Sequence, residues 1–189
     1  MSKKYRLSIN TKDYLSEFYD ILNEMIRGMT DAELTNSVSH NFIVQMIPHH
    51  RAAIEMSHNL LKYTTFIPLQ DIALNIIQEQ TESIKDMREI QYRCSEQKNT
   101  RQDLHLYQHR VNQIMHTMFF EMENAPAVND INTNFMTEMI PHHRGAIRMS
   151  KNALQYDICP ELKPILDAII TSQEKGVMQM QNLLKTMRH

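Results

Sequence analysis

An all-α chain folded as a helical bundle of two tandem three-helix repeats is the fold class predicted here, on three observations. The 189 residues include only 3 Gly, 6 Pro and no Trp, and few β-branched runs, which favours helices over sheets. Apolar residues recur at helical spacing along most of the chain. The chain also matches itself, without a gap, at an offset of 93 residues.

The self-match is densest where Met46 to Asn59 reads MIPHHRAAIEMSHN and Met139 to Asn152 reads MIPHHRGAIRMSKN, with eleven of fourteen positions identical. Upstream, Tyr14, Ile21, Met25 and Met29 match Tyr107, Ile114, Met118 and Met122. Downstream, Ile76, Ile77, Gln80 and Met87 match Ile169, Ile170, Gln173 and Met180. A match of this length is an architectural unit, so residues 1–94 and 95–189 read as two repeats.

Within the first repeat a helix is expected over residues 13–28, with Tyr14, Phe18, Ile21, Leu22, Met25 and Ile26 on one stripe. Asp31, Asn36, Ser37 and Ser39 supply turn and N-cap chemistry, and a second helix follows over 38–63. The stretch 64–68 reads as a break, with a third helix over 69–93 and a polar linker over 95–101. In the second repeat the helices are expected at 103–123, 132–155 and 161–187. Six amphipathic helices bury their apolar faces on one another, which is a bundle.

Charge and length limit the partners. A net charge of −2 and a pI near 6.5 give no basic excess, so nucleic acid is not expected. No run reaches the roughly 18 apolar residues of a membrane span. The first ten residues are polar and basic, so the chain as given reads as cytoplasmic, and as exported if a leader has been trimmed. A homo-oligomer is compatible with the composition. Cys94 and Cys159 form no CxxC pair and read as structural; a disulfide between them is compatible with the sequence but not demanded by it.

The chain holds 15 Met and 10 His. On a helix of about 100° per residue, Phe42, Met46, His49, His50, Ala53 and Met56 share one broad face. Phe135, Met139, His142, His143, Ala146 and Met149 do so in the second repeat. Gln45, Glu55 and Glu138 fall off the centre of that face, and Pro48 and Pro141 fall on its outer side. Histidines facing an apolar core need partners. These are either other protein groups or a metal, with Met25, Met29, Met87, Met118, Met122 and Met180 converging from neighbouring helices. Thioether and imidazole together suit a soft monovalent ion, Cu(I) or Ag(I). No Glu-x-x-His is present for a di-iron centre, no His-Glu-x-x-His for zinc, and no nucleophile–base constellation for an enzyme.

The MIPHHRxAIxMSxN segments resemble the signature of the bacterial family known as domain of unknown function 305. The resemblance implies a ferritin-like helical bundle and, for some members, copper handling through Met and His. Carried over, it points to Met46, His49, His50 and Met56, and to Met139, His142, His143 and Met149. Met25, Met29, Met118 and Met122 answer to its Met-rich first helix. Of its third-helix pattern Gln-x-x-Glu-Ile-x-x-Met, Gln80, Met87, Gln173 and Met180 are kept. The Glu position holds Ser83 and Gly176.

The leading expectation is therefore a non-enzymatic protein binding a soft metal, Cu(I) foremost, for storage, buffering or resistance. The alternative is a structural or interaction module whose buried histidines are satisfied by hydrogen bonds without metal. His105, His109 and His116 have no counterparts in the first repeat and read as a solvated face.

Overall fold

The computed structural model describes residues 6–187; the remaining ends of the two repeats, 1–5 and 188–189, lie outside the described residues. Six helices follow in order: α1 Ile9–Thr30, α2 Val38–Leu61, α3 Ile67–Cys94, α4 Arg101–Glu123, α5 Ile131–Ala153 and α6 Leu162–Thr186. No strand occurs among the described residues. The expected all-helical bundle of two three-helix units, α1–α3 and α4–α6, is what is observed.

Four helices start on a side-chain cap that satisfies an otherwise orphaned amide. Ser8 accepts from Thr11 N, Ser37 from His40 N, Thr100 from Asp103 N and Asp130 from Asn132 N. Ser8 therefore starts α1 earlier than the apolar stripe suggests. The expected break at 64–68 ends sooner, because Pro68 sits in the first turn of α3, where its missing N–H costs nothing.

Each unit is tied internally by the same bonds. Asn59 Nδ2 donates to the Tyr14 carbonyl at 3.0 Å, and Asn152 Nδ2 to that of Tyr107 at 3.3 Å. Tyr14 meets Tyr63 edge-on, and Tyr107 meets Tyr156 in the same way.

The units pack on each other through α2 against α5 and α3 against α6. That makes α2 and α5 a central pair, covered on nearly every side, and it corrects the one-face reading of these helices. Gln45 and Glu138 are buried, Pro141 is buried and Pro48 is half-buried. Both helices run unbroken through their prolines. Pro48 packs against α1 at Gly28, where a Cβ would lie 2.7 Å from the proline ring, so that crossing needs a glycine.

The linker is not a free tether. Asn99 accepts from Val38 N at 2.8 Å and donates to the Asp157 carbonyl at 2.7 Å. Beside it, Cys94 at the end of α3 and Cys159 before α6 form a disulfide across a sequence separation of 65. Ser37 Oγ donates to the Cys94 carbonyl and Cys159 N to Ser39 Oγ, both at 2.9 Å. The start of α2, the linker and the α5–α6 loop thus form one fastened corner.

Closing a loop of that length restricts the unfolded chain and stabilises the fold by about 4 kcal/mol in the chain-entropy model. Replacing Cys94 and Cys159 by Ser should lower the unfolding free energy by about 2–4 kcal/mol in urea titrations under oxidising conditions. An unchanged midpoint would mean that packing alone holds the corner.

Candidate functional site: a row of four buried histidines

Where α2 and α5 cross, His49 and His142 bring their rings together, with centroids 3.6 Å apart and planes inclined by 31°. His50 lies 5.8 Å beyond His49, and His143 lies 5.9 Å beyond His142. The four rings form a row through the middle of the molecule and are 0 to 2 % exposed.

The central contact is reciprocal. His49 Nε2–H donates to the carbonyl of His142 at 3.2 Å, and His142 Nε2–H donates to that of His49 at 3.1 Å. A carbonyl only accepts, so both rings carry their proton on Nε2 and are held as that tautomer. The Nδ1 atoms of His49, His50 and His142 are buried with no partner among the described residues.

At one end of the row, His50 Nε2 is hydrogen-bonded to Ser83 Oγ at 3.1 Å. At the other end the repeat places Gly176 where Ser83 stands, and a Cβ there would come within 2.9 Å of the His143 Nε2. The two residues that stand at the Glu position of the third-helix pattern, Ser83 and Gly176, are the two that face the outer rings.

Burial sets the protonation of the row. Desolvation pushes His50 down to about 3 and His142 to about 4, and holds His49 and His143 well below the ordinary histidine value. Neighbouring rings reinforce this at His49, His50 and His143. All four are neutral at pH 7.

A second buried polar pair joins the units. Tyr14 of α1 donates to Glu138 of α5 at 2.6 Å, a contact the helical-face reading missed by placing Glu138 off the core. Burial raises the Glu138 carboxyl to about 7, opposed by the hydrogen bond from Tyr14. The repeat counterparts are Tyr107, whose hydroxyl has no partner, and Gln45, whose amide donates to the Met29 carbonyl. The exchange of Gln45 for Glu138 between repeats was the available signal.

The ten candidate methionines, Met25, Met29, Met46, Met56, Met87, Met118, Met122, Met139, Met149 and Met180, all lie in the hydrophobic core. His105, His109 and His116 are exposed.

Comparison with known proteins follows this geometry. The model of a domain of unknown function, DUF305, matches residues 39–184. The chain belongs to the DUF305 family. Among solved structures, CopM in an Ag-bound form obtained by soaking superposes with a TM-score of 0.60 at 24 % identity, covering 80 % of this chain and 98 % of that one. A DUF305 fragment from Deinococcus radiodurans superposes with a TM-score of 0.56 at 19 % identity, covering 79 % and 96 %. At these identities the likeness is one of fold. No curated protein matches the chain.

The expectation of a Cu(I)-binding protein for storage, buffering or resistance is overturned by the arrangement of donors. The central Nε2 atoms present protons to carbonyls rather than lone pairs to an ion, and His50 is engaged by Ser83. Among the described residues, no three histidine nitrogens lie within 4.8 Å of one another. One cluster of three ligand-type residues lies within that distance, formed by Cys94, Cys159 and Glu161. Its sulfurs are bonded to each other, so no thiolate remains to ligate.

Gly→Ala inside a helix ordinarily stabilises by about 1 kcal/mol. Gly176→Ala in this DUF305 protein should instead lower the melting temperature, because the new methyl meets the His143 ring. A higher melting temperature would show that the ring has room to move.

Glu138→Gln should be stabilising at pH 8 by on the order of 1–3 kcal/mol and near neutral at pH 5. The native carboxyl titrates near 7 but the unfolded one near 4.5, so its contribution is full below 4.5 and is lost as pH rises through 7. Urea unfolding at the two pH values reads the difference, and an equal effect at both would remove the titration from the explanation.

Proposed function

We propose that this DUF305 chain is a non-catalytic helical module of structural and interaction type, in which the histidine row clasps two repeats and holds no metal. The observation that carries this reading is the reciprocal pair of hydrogen bonds between His49 and His142. Each ring's N–H is satisfied by a main-chain carbonyl of the opposite repeat, one residue short of the ring that continues the row. The methionines serve as pliable packing around rigid rings, a use that suits unbranched thioethers.

In this reading the repeats at 1–94 and 95–189 are two parts of one cooperative body. The α2–α5 and α3–α6 contacts and the disulfide support that view. A structural disulfide is at home in an oxidising compartment, so we assign the protein there. No helix of the described residues is long and apolar enough to cross a membrane. The silver in the soaked CopM structure belongs to that protein, and a fold-level likeness does not bring it to these residues.

The test is a double-mutant cycle on His49→Ala and His142→Ala, combined with metal titration. Residues in direct contact couple by about 0.5–3 kcal/mol, so the double variant should be less destabilised than the sum of the single ones. Cu(I) under reducing conditions and Ag(I) should leave the melting temperature of the parent protein unchanged, since native-state binding would raise it. Additive losses, or a saturable rise with either ion, would overturn the proposal.

Stability should also fall on acidification. The four native rings resist protonation while the unfolded ones accept protons near 6.5. Their contribution is full above pH 6.5 and is lost below it, by about 1.4 kcal/mol per pH unit per histidine. Glu138 acts in the opposite sense between 4.5 and 7, as one group against four. A melting temperature that holds steady between pH 7 and pH 5 would contradict this accounting.

A further inference from the structure

At the His50 end of the histidine row, α3 and α6 leave a slot of about 190 Å³ between the two units, lined also by His50 and Ser83. Its mouth on the α3 side carries Glu79, Glu82 and Asp86, all exposed and none in an ion pair among the described residues. No cationic side chain among the described residues lines it. Lys85 and Arg88, on the same helix, line a separate pocket with Arg51. The α6 wall is uncharged.

The floor is polar and unsatisfied. Gln80 is 2 % exposed, and neither its amide oxygen nor its nitrogen has a partner. Gln173, its repeat counterpart from α6, is 3 % exposed with its amide oxygen unpartnered. Two buried amides from opposite units line the same slot, and each unmet group forgoes about 1–3 kcal/mol unless something else bonds it. The pairing of unmet acceptors below with unneutralised carboxylates above is independent of the histidine clasp.

We propose that this slot binds a small organic ammonium, a short aliphatic diamine in class, bridging the two repeats. An –NH₃⁺ group offers three donors and no acceptor. That complements the oxygens of Gln80 and Gln173 at the floor, while a second ammonium meets the carboxylates at the mouth. At about 30 Å³ per water the slot of about 190 Å³ has room for about six water-sized groups, as many as a four-carbon diamine has heavy atoms. A bare metal ion fits less well: no three of these carboxylates and the nearby His50 bring ligand atoms within 4.8 Å of one another. The ligand is held by spread contacts rather than by a coordination sphere.

The experiment is calorimetry on the oxidised full chain at low ionic strength, with 1,4-diaminobutane as the probe. Tetramethylammonium chloride, which has charge but no N–H donor, and magnesium chloride are the comparators. The proposal expects saturable one-site binding of the diamine and binding of both comparators at least about tenfold weaker, the difference made by a charged hydrogen bond. Gln80→Leu should weaken the diamine about tenfold. The triple variant Glu79→Gln, Glu82→Gln, Asp86→Asn, confined to exposed positions, should abolish saturation and decides the matter should Gln80→Leu not fold. Absence of saturable binding, equal binding of either comparator, or undiminished affinity in the triple variant would each overturn it.

Discussion

Two histidine rings from opposite repeats, tilted against each other with centroids 3.6 Å apart and bonded to each other's backbone, fix how the halves of this protein meet. Main-chain carbonyls within a helix already accept from the following turn. Each of these accepts a second bond on its free lone pair, from a ring that has no other way to place its proton in a dry interior. The contact therefore demands that α2 and α5 cross at one point and at one rotation. The rest of the architecture is arranged around that demand. α1 and α3 cover α2, α4 and α6 cover α5, and the disulfide fastens the corner where the linker passes.

The clasp is symmetric and its surroundings are not. A duplicated sequence folds onto itself about an approximate two-fold axis, and each departure from symmetry marks a place where one repeat solves a packing problem alone. Ser83 bonds the outer ring of the first repeat, whereas Gly176 only makes room for that of the second. Glu138 takes a bond from Tyr14, whereas Gln45 turns to the Met29 carbonyl and leaves Tyr107 without a partner. The acidic lip of the α3–α6 slot belongs to α3 alone, since Ser172 and Lys175 occupy the repeat positions of Glu79 and Glu82. The common frame is thus the shared structural part, and the chemistry that distinguishes the halves lies at its edges.

Much of this was legible in the residues. The offset repeat, the six helices and the core positions of the methionines and paired histidines follow from periodicity, which reports local geometry well. What periodicity does not report is a second burial surface. A helix read alone has one apolar face, so Gln45, Glu138 and Pro141 were placed outward, and only the α2–α5 crossing shows them enclosed. The same gap produced the copper reading. Met46 and His50 lie on one helical face, as expected, but what a ring nitrogen bonds to depends on a carbonyl 93 residues away. Of a donor set that looks soft and convergent in sequence, the two central imidazoles are, in space, already turned toward the backbone. The Cys94–Cys159 bond was compatible with the sequence and became definite only when the fastened corner brought α3 and the α5–α6 loop together.

The most direct measurement of the central claim is the tautomer and charge of the core histidines, read from their ring ¹⁵N shifts by long-range ¹H–¹⁵N correlation at pH 7. The account predicts neutral rings for all four, with the proton of His49 and His142 on Nε2. Imidazolium signals from these residues, or protons on Nδ1 with Nε2 bare, would contradict it.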